Sequence, residues 1–325
     1  MVLPRGDRGR EDGPGADPRA EGGRGGRDRR ISPEQGHSIA NRTIPKAAGP
    51  LGRLLSEGRG ADLSPDPVLF PHRYADPGDV EAAAFIAASF AFGGVLQIRR
   101  FLDRLLAVLS PSPLAALVAR TPLPPSAVAG LSHRFISPEG VHRFLRCLRA
   151  AYLANRTLER LYLAGRGGEE PELRRDLSRF LSWFRSRWGD ALPAQRDFLF
   201  PRPERGSACK RHNLFLRWVA RGADGVDLGL WTAVSPADLV VPLDTHMARF
   251  GGWLGLTTRK TPNWRMAEEI TAAFRAICPD DPVKFDYPLT RIGILGSCTR
   301  SRRGVCGDCP VAPLCSRKTS VRSRK

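Results

Sequence analysis

Four cysteines stand close together near one end of this chain, with the spacing C-x7-C-x2-C-x5-C. They are Cys298, Cys306, Cys309 and Cys315. Thiolates grouped within so short a segment are typical ligands of iron–sulfur clusters and of zinc. Zinc ribbons usually space their ligands as two CxxC pairs, and only Cys306 and Cys309 form one here. We therefore predict a [4Fe–4S] cluster on the four thiolates, with zinc as the runner-up and unliganded thiols as the remaining alternative.

The segment between these cysteines is strongly basic. Arg300, Arg302 and Arg303 lie between the first two cysteines. A loop that is ordered by a metal and carries several guanidinium groups is suited to binding phosphates. We predict that these three arginines contact nucleic acid. The alternative is a zinc knuckle with a purely structural use.

A second stretch whose residues could take part in chemistry runs from Val240 to His246 and reads VVPLDTH. Asp244 stands where an N-cap residue stands at the start of a helix, and Pro242 fixes the approach of the chain. The carboxylate of Asp244 either serves only as that cap or also faces a substrate. His246 lies on the first turn of the same helix, and we predict that it contacts nucleic acid.

The charge balance points to a polyanionic partner. The 325 residues include 51 Lys and Arg against 33 Asp and Glu, a formal net charge of +18. Nucleic acid is the first candidate, because no apolar run reaches the ~18 residues that a membrane-spanning helix needs. The first residues lack the apolar core of a secretory signal, and the 7 cysteines lack the spacing of a secreted disulfide framework. We predict a cytoplasmic, nucleoid-associated protein, and no sequence feature indicates an obligate protein partner.

A series of short helices must position these residues. Asp76-Pro77 and Ser137-Pro138 each combine a capping side chain with proline at the first helical position, which predicts a helix start. An amphipathic pattern follows Leu173 and ends at Gly189. Further helices are predicted over Cys209–Arg221, Asp244–Leu254, Asn263–Ile277 and Pro282–Leu295. Since the one strand-like run is very short, the predicted class is all-α.

Composition divides the chain into four parts. Residues 1–48 contain almost no large apolar side chains, so they are predicted to form a disordered basic, Gly-rich tail. Residues 49–295 are predicted to form the helical domain, and residues 296–317 the four-cysteine cluster loop. Residues 318–325 form a second basic tail.

The Leu-Asp-Thr-His stretch and the four-cysteine loop together resemble the C-terminal half of the helix-hairpin-helix DNA glycosylases of the endonuclease III type. The resemblance covers about residues 205–317, with one extra residue in the first gap between cysteines. It implies a two-lobed helical fold with a C-terminal [4Fe–4S] loop, and double-stranded DNA with a damaged base as the partner. It also implies that Asp244 is catalytic and stabilises the sugar cation as an N-glycosylase removes the base. An additional AP-lyase activity stays open.

The chain departs from this family at the hairpin. The Leu-Pro-Gly-Val-Gly element and the lysine that follows it are missing, and Gly222-Ala223-Asp224-Gly225 is a poor match. The chain is similar in this respect to the archaeal 8-oxoguanine glycosylases, which place their lysine on a helix upstream of the Asp. Lys210, which precedes Asp244 by 34 residues, suits that arrangement as a nucleophile. A surface lysine that contacts phosphate is the alternative.

Two other segments resemble an uncharacterised bacterial family that is known only as a conserved domain of unknown function. They are Phe70–Tyr74 and Cys209–Trp218, and they contain two further predicted nucleic-acid contacts, Arg73 and Arg211. The alternative for Arg73 is a structural role in a capping network at the start of a helix. A flipped base would also need an aromatic partner, but aromatic residues at helical spacing, such as Trp218, are usually core.

Two other functions fit the same residues. The missing hairpin favours a non-catalytic Fe–S DNA-binding protein, in which Asp244 only caps a helix. The Arg- and Gly-rich tail favours a zinc-stabilised RNA-binding protein.

Overall fold

The computed structural model describes residues 49–55, 63–64, 66–166, 172–294, 298, 306 and 309–316. The predicted tails at 1–48 and 318–325, and Arg300, Arg302 and Arg303, lie outside the described residues. Within the described parts the chain is helical, which confirms the all-α class. No β-strand occurs in them, and an isolated bridge pairs His133 with Ile136.

Residues 49–55 are helical, and longer helices follow along the chain. The α-helices are α1 Pro77–Ser89, α2 Val95–Val108, α3 Pro113–Val118, α4 Pro138–Asn155, α5 Leu158–Leu163, α6 Leu173–Trp188, α7 Pro193–Leu199, α8 Lys210–Ala220, α9 Thr245–Trp253, α10 Trp264–Arg275 and α11 Asp286–Ile294. Short 3-10 helices occupy Pro67–Leu69, Pro71–Arg73, Pro125–Val128, Pro203–Arg205, Pro236–Asp238 and Pro282–Phe285.

The predicted helix starts and stops at three places are confirmed. Asp76 accepts hydrogen bonds from the backbone N–H groups of Gly78 at 2.9 Å and Asp79 at 3.1 Å. Ser137 accepts one from Gly140 at 3.2 Å. Gly189, just after α6, has a φ of +79°, a left-handed conformation that glycine adopts at low cost.

Helix α1 forms the centre of the core. Its residues from Ala82 to Ala88 are almost completely buried on every side, as expected for a helix that is apolar all round. The ring of Phe85 lies 5.1 Å from that of Phe184 on α6 and 5.1 Å from that of Phe215 on α8. Helix α1 therefore packs on several neighbours, of which α8 is the most extensive.

The last three helices pack on one another and carry the C-terminal candidate residues. Helix α9 contacts both α10 and α11. The approach of α9 to α10 is close, since a Cβ on Gly251 would lie 2.5 Å from Cδ1 of Ile270. No helix in the described parts of the chain has the length and apolar character needed to cross a lipid bilayer.

Candidate functional site

Asp244 lies at the N-terminus of α9, as the sequence predicted. The preceding segment is buried, and the backbone N–H of Val241 donates to Oγ1 of Thr271 on α10 at 3.0 Å. The Oδ1 atom of Asp244 accepts a hydrogen bond from the backbone N–H of Met247 at 2.7 Å, while the side chain remains only partly buried. The carboxylate is therefore held at a helix N-terminus, where the helix dipole favours negative charge.

A buried charge network lies next to Asp244. Arg217 of α8 forms ion pairs with Asp227, at 3.2 Å, and with Asp286 of α11, and all three side chains are at most 4% exposed. Burial raises the pKa of Asp286 to about 7; Arg217 acts to lower it, and the neighbouring negative charge of Asp244 acts to raise it. Its Oδ1 atom is buried and has no hydrogen-bond partner. Sequence reasoning missed Asp286, because one Asp in an amphipathic helix carries no signal of its own.

The Gly222–Gly225 segment, the nearest match to a glycosylase hairpin, is an acidic turn. Asp224 accepts hydrogen bonds from the backbone N–H groups of Val226 at 3.0 Å and Asp227 at 2.9 Å. Arg221 pairs with Asp224 at 3.0 Å, with Asp281 at 2.9 Å, and with Asp227. The carboxylates hold this turn against α8 through arginine, so its chemistry differs from that of a phosphate-binding hairpin.

His246 lies between α9 and α11. Its Nδ1 is 3.1 Å from Nη2 of Arg249, and a Cβ on Gly293 would come within 2.2 Å of the same nitrogen. The ring thus fits against α11 only because residue 293 is glycine. Arg249 is exposed, and its positive charge acts to lower the pKa of the Cys298 thiol, so it lies beside the cysteine loop. Arg249 is a candidate contact that the sequence prediction did not include.

The four predicted cysteine ligands are electrostatic neighbours. Burial raises the pKa of Cys298, and the thiols of Cys309, Cys315 and Cys306 raise it further. The backbone N–H of Cys298 donates to the carbonyl of Ile292 on α11 at 3.0 Å, and that of Ser316 donates to Trp253 on α9 at 2.8 Å. The backbone of Cys298 is thus tied to α11 and that of Ser316 to α9, and Cys306, Cys309 and Cys315 act on the Cys298 thiol electrostatically.

Two backbone N–H groups lie against the sulfur of Cys309. Burial raises the pKa of this thiol, but the backbone N–H groups of Val311 and Ala312 hydrogen-bond to the sulfur and act to lower it. Such N–H groups orient and stabilise sulfur ligands of metal centres. Among the described residues, no group of three or more His, Cys, Asp or Glu side chains has the arrangement of a metal site. The donor set fits an iron–sulfur cluster or zinc by its chemistry, so the metal stays a prediction.

Lys210 is the first residue of α8, and its side chain is partly buried. The Nζ atom is 3.5 Å from the carbonyl oxygen of Ala91, just beyond the end of α1. Within the described residues, no hydrogen bond or ion pair joins Lys210 to Asp244. Arg217 pairs with Asp286, whose pKa is affected by the charge of Asp244. It lies seven residues after Lys210 on α8, a helical rise of about 10 Å. The two predicted catalytic side chains lie on different elements, Lys210 at the start of α8 and Asp244 at the N-terminus of α9.

Arg211 has a structural placement that does not fit the predicted phosphate contact. It is 8% exposed, and its guanidinium donates to the carbonyl oxygens of Ser89 and Phe198. Burial lowers its pKa to about 9. Arg211 satisfies carbonyl groups near the ends of α1 and α7, so it holds these helices to α8. Trp218, which the sequence left between base stacking and the core, is fully buried and belongs to the core.

Arg73 remains at the surface. Its side chain is 41% exposed, pairs with Asp103 at 2.7 Å and covers the ring of Phe70 at 4.2 Å. An exposed pair of this kind contributes little to stability. The guanidinium is therefore accessible, and its contact with nucleic acid stays a prediction.

Comparison with known proteins identifies the family of the helical part. Residues 66–295 match the family described as "Protein of unknown function (DUF2400)". The chain belongs to this family. The match includes Lys210 and Asp244 and ends before Cys298. Searches of the curated proteins and of the solved structures found no match.

Proposed function

We propose that this DUF2400 protein is a DNA N-glycosylase that removes a damaged or modified base from double-stranded DNA. The observation that carries the proposal is the role of α9. Its N-terminus holds the Asp244 carboxylate, and its C-terminal residue Trp253 accepts the hydrogen bond that fixes the cysteine segment at Ser316. One short helix thus joins a partly exposed carboxylate to a basic, cysteine-rich segment. The proposal includes the two-lobed arrangement of helix-hairpin-helix glycosylases.

The proposed reaction needs a negative charge beside the sugar. The bond between C1′ and the base nitrogen breaks, the electron pair leaves with the base, and the sugar becomes an oxocarbenium-like cation. Asp244 stabilises this cation electrostatically, and water or an amine then attacks C1′. The fixed cap geometry at Oδ1 keeps the carboxylate in place while the charge develops.

The cysteine segment has a supporting role in this proposal. Cys298, Cys306, Cys309 and Cys315 would hold a [4Fe–4S] cluster, which would order the basic loop around them. Contacts from such a loop to phosphates would then position the duplex without reading its sequence. Arg249 lies on the side of α9 that faces this segment and extends the same basic surface.

Lyase activity is a separate part of the proposal. Lys210 is a possible attacking amine, because it is partly buried on α8 and lies beside the turn that follows α1. An amine that attacks C1′ displaces the base and loses a proton; the C1′–O4′ bond then opens, O4′ takes up a proton, and C1′ becomes the carbon of a Schiff base. Since no contact joins Lys210 to Asp244 within the described residues, base removal and strand cleavage are tested independently.

The test of the glycosylase proposal is a panel of duplexes that each contain one damaged base. Wild-type protein should release one of these bases, and Asp244→Asn should reduce the single-turnover rate by at least ~10²-fold. Asparagine caps a helix as well as aspartate does, so folding should be preserved. Asp76→Asn, at the cap of α1, makes the same chemical change away from the site and should leave the rate unchanged. Excision by Asp244→Asn at the wild-type rate would remove Asp244 from the mechanism.

A non-catalytic DNA-binding protein is the second candidate. It is favoured by the fact that one oxygen of Asp244 already caps α9. This alternative predicts that the duplexes bind but that no base is released from any member of the panel.

A further inference from the structure

An open pocket with a volume of about 270 Å³ lies between α2 and the turn that follows the 3-10 helix Pro125–Val128. Neither the proposed reaction nor the cysteine segment uses it. Its lining consists of Gln97, Arg100, Phe101, Arg104, Ser132, His133 and Arg134. Three of these residues are arginines and none is acidic, so the pocket is suited to an anion.

The arginines of the pocket are exposed and project from two elements. Arg100 and Arg104 lie four residues apart on α2, which places them on one face of the helix. Arg104 is oriented by a hydrogen bond from Nη2 to the carbonyl of Gly130 at 2.8 Å. Neither Arg100 nor Arg134 forms an ion pair with any carboxylate in the described parts of the chain. Their positive charges are therefore available to a ligand.

The pocket has a rigid floor. The ring of His133 stacks on Phe101 with centroids 4.7 Å apart, and its Nε2 bonds to the carbonyl of Phe92 at 2.8 Å. His133 and Ile136 exchange two backbone hydrogen bonds of 3.0 Å each, which close a tight turn. Arg134, inside that turn, has a φ of +55°, a conformation that a non-glycine residue adopts rarely. The turn thus holds Arg134 at a fixed place on the rim of the pocket.

Exposed apolar side chains flank the lining residues in the sequence. The large apolar residues that are exposed among the described ones are Val95, Leu96, Phe135, Leu153 and Ile294. Val95 and Leu96 begin α2, and Phe135 follows Arg134. Leu96 is 60% exposed and Phe135 is 51% exposed. Apolar side chains beside a cationic pocket offer contact area to the sugars of a nucleic-acid backbone, which a small inorganic anion does not have.

The pocket adjoins the surface around Lys210. A Cβ on Gly93 would lie 2.9 Å from Cδ of Arg134, and Lys210 Nζ contacts the carbonyl of Ala91 two residues earlier. The turn after α1 therefore separates the arginine pocket from the amine of Lys210.

We propose that this pocket binds a phosphate of the nucleic-acid backbone through Arg100, Arg104 and Arg134. Planar guanidinium groups bind phosphate oxygens with charge-assisted hydrogen bonds, often two at a time. The proposal deepens the proposed function, because it adds a backbone contact for the same duplex. It does not depend on base removal, and the test below measures binding alone.

The experiment compares three full-length proteins on an undamaged duplex of about 20 base pairs, roughly two helical turns. They are the wild type, the double variant Arg100→Gln/Arg134→Gln, and the control Arg120→Gln, which removes an exposed arginine outside the pocket. Arg104 is kept, because it also holds Gly130. The double variant should bind about tenfold more weakly, as expected for one charge-assisted hydrogen bond. The slope of log affinity against log salt should flatten by about 0.9, which corresponds to one phosphate.

The possible results are distinguishable. Equal slopes for the wild type and the double variant, with unchanged thermal unfolding, would overturn the proposal even if the protein excises a base. If the double variant has a flatter salt slope but the wild type excises no base, the phosphate pocket is supported and the glycosylase proposal fails independently. Titration with inorganic phosphate tests the alternative that the pocket binds a free phosphate ion. Tight binding of inorganic phosphate by the wild type, with no change in duplex binding for the double variant, would overturn the assignment to nucleic acid.

Discussion

At the residue scale, Asp286 shows how the fold sets the chemistry of one carboxyl group. It faces Arg217, yet burial dominates and raises its pKa from 3.8 to about 7. The native state therefore binds more protons than the unfolded state between these two values. The contribution of Asp286 to stability is present at low pH and is lost as pH rises through about 7.

This sign gives a measurable pH dependence. In the wild type, the free energy of unfolding should decrease between pH 5 and 7.5, with a slope of at most about 1.4 kcal/mol per pH unit. Asp286→Asn should remove this decrease. Urea denaturation across this range measures the slope. The control is Asp103→Asn, which removes a half-exposed carboxylate at the surface. Identical slopes for the wild type and Asp286→Asn would show that Asp286 is ionised throughout.

Lys210 is the second residue with a testable assignment. If its amine attacks C1′, borohydride should trap a covalent protein–DNA adduct with the wild type, because it reduces the Schiff base. Lys210→Gln should abolish the adduct and leave base release by Asp244 and water. The matched control is Lys260→Gln, since Lys260 is exposed in the loop before α10. Trapping that persists in Lys210→Gln assigns the amine to another residue.

At the element scale, α9 is the helix on which the proposed function depends. Two adjacent glycines near its C-terminus have opposite surroundings. A Cβ at Gly251 would lie 2.5 Å from Ile270 and 3.4 Å from Thr257, whereas one at Gly252 would meet no atom within 4 Å. The first glycine permits the close packing of α9 on α10, and the second has no packing role.

The two glycines form a matched pair of variants. Gly252→Ala should stabilise the protein by about 0.5–1 kcal/mol, because alanine is the better helix former. Gly251→Ala should instead destabilise it by about 1–3 kcal/mol, since the added methyl group displaces the Ile270 side chain from its packed position. Thermal unfolding monitored by circular dichroism gives both values. A stabilising Gly251→Ala would show that the Ile270 side chain moves aside without cost.

At the scale of the whole molecule, the cysteine segment lies beyond the family match, which ends at residue 295. Val311 is 1% exposed and belongs to the core, so the described residues 309–316 are packed onto the helices. A four-thiolate site in this place would join the two ends of the C-terminal helical group through α9 and α11.

The metal prediction follows from that arrangement. Anaerobically purified protein should be brown and contain about four irons per chain. Cys309→Ser should lose the iron and weaken duplex binding while the helical core survives. Cys278→Ser removes a partly buried free thiol outside the four and should keep the iron. Stoichiometric zinc without iron in the wild type would show that zinc, and not a [4Fe–4S] cluster, is the metal.

The sequence by itself determined the helical class, several helix ends and the cap position of Asp244. These features depend on local physics, because capping side chains, proline and glycine act within a few residues of themselves. The spacing of the cysteines also singled out four thiols, which interact electrostatically in the structure. The metal they hold and the reaction that Asp244 performs remain predictions.

Only the tertiary structure decided the roles that depend on burial and on distant partners. Arg211 and Arg100 are both arginines on helices, yet one satisfies buried carbonyl groups and the other is exposed beside a pocket. Asp286 acquires its raised pKa from burial and from Asp244, which is 42 residues earlier in the chain. The sequence pattern does not encode these differences locally, because desolvation and charge pairing are set by which helices pack together.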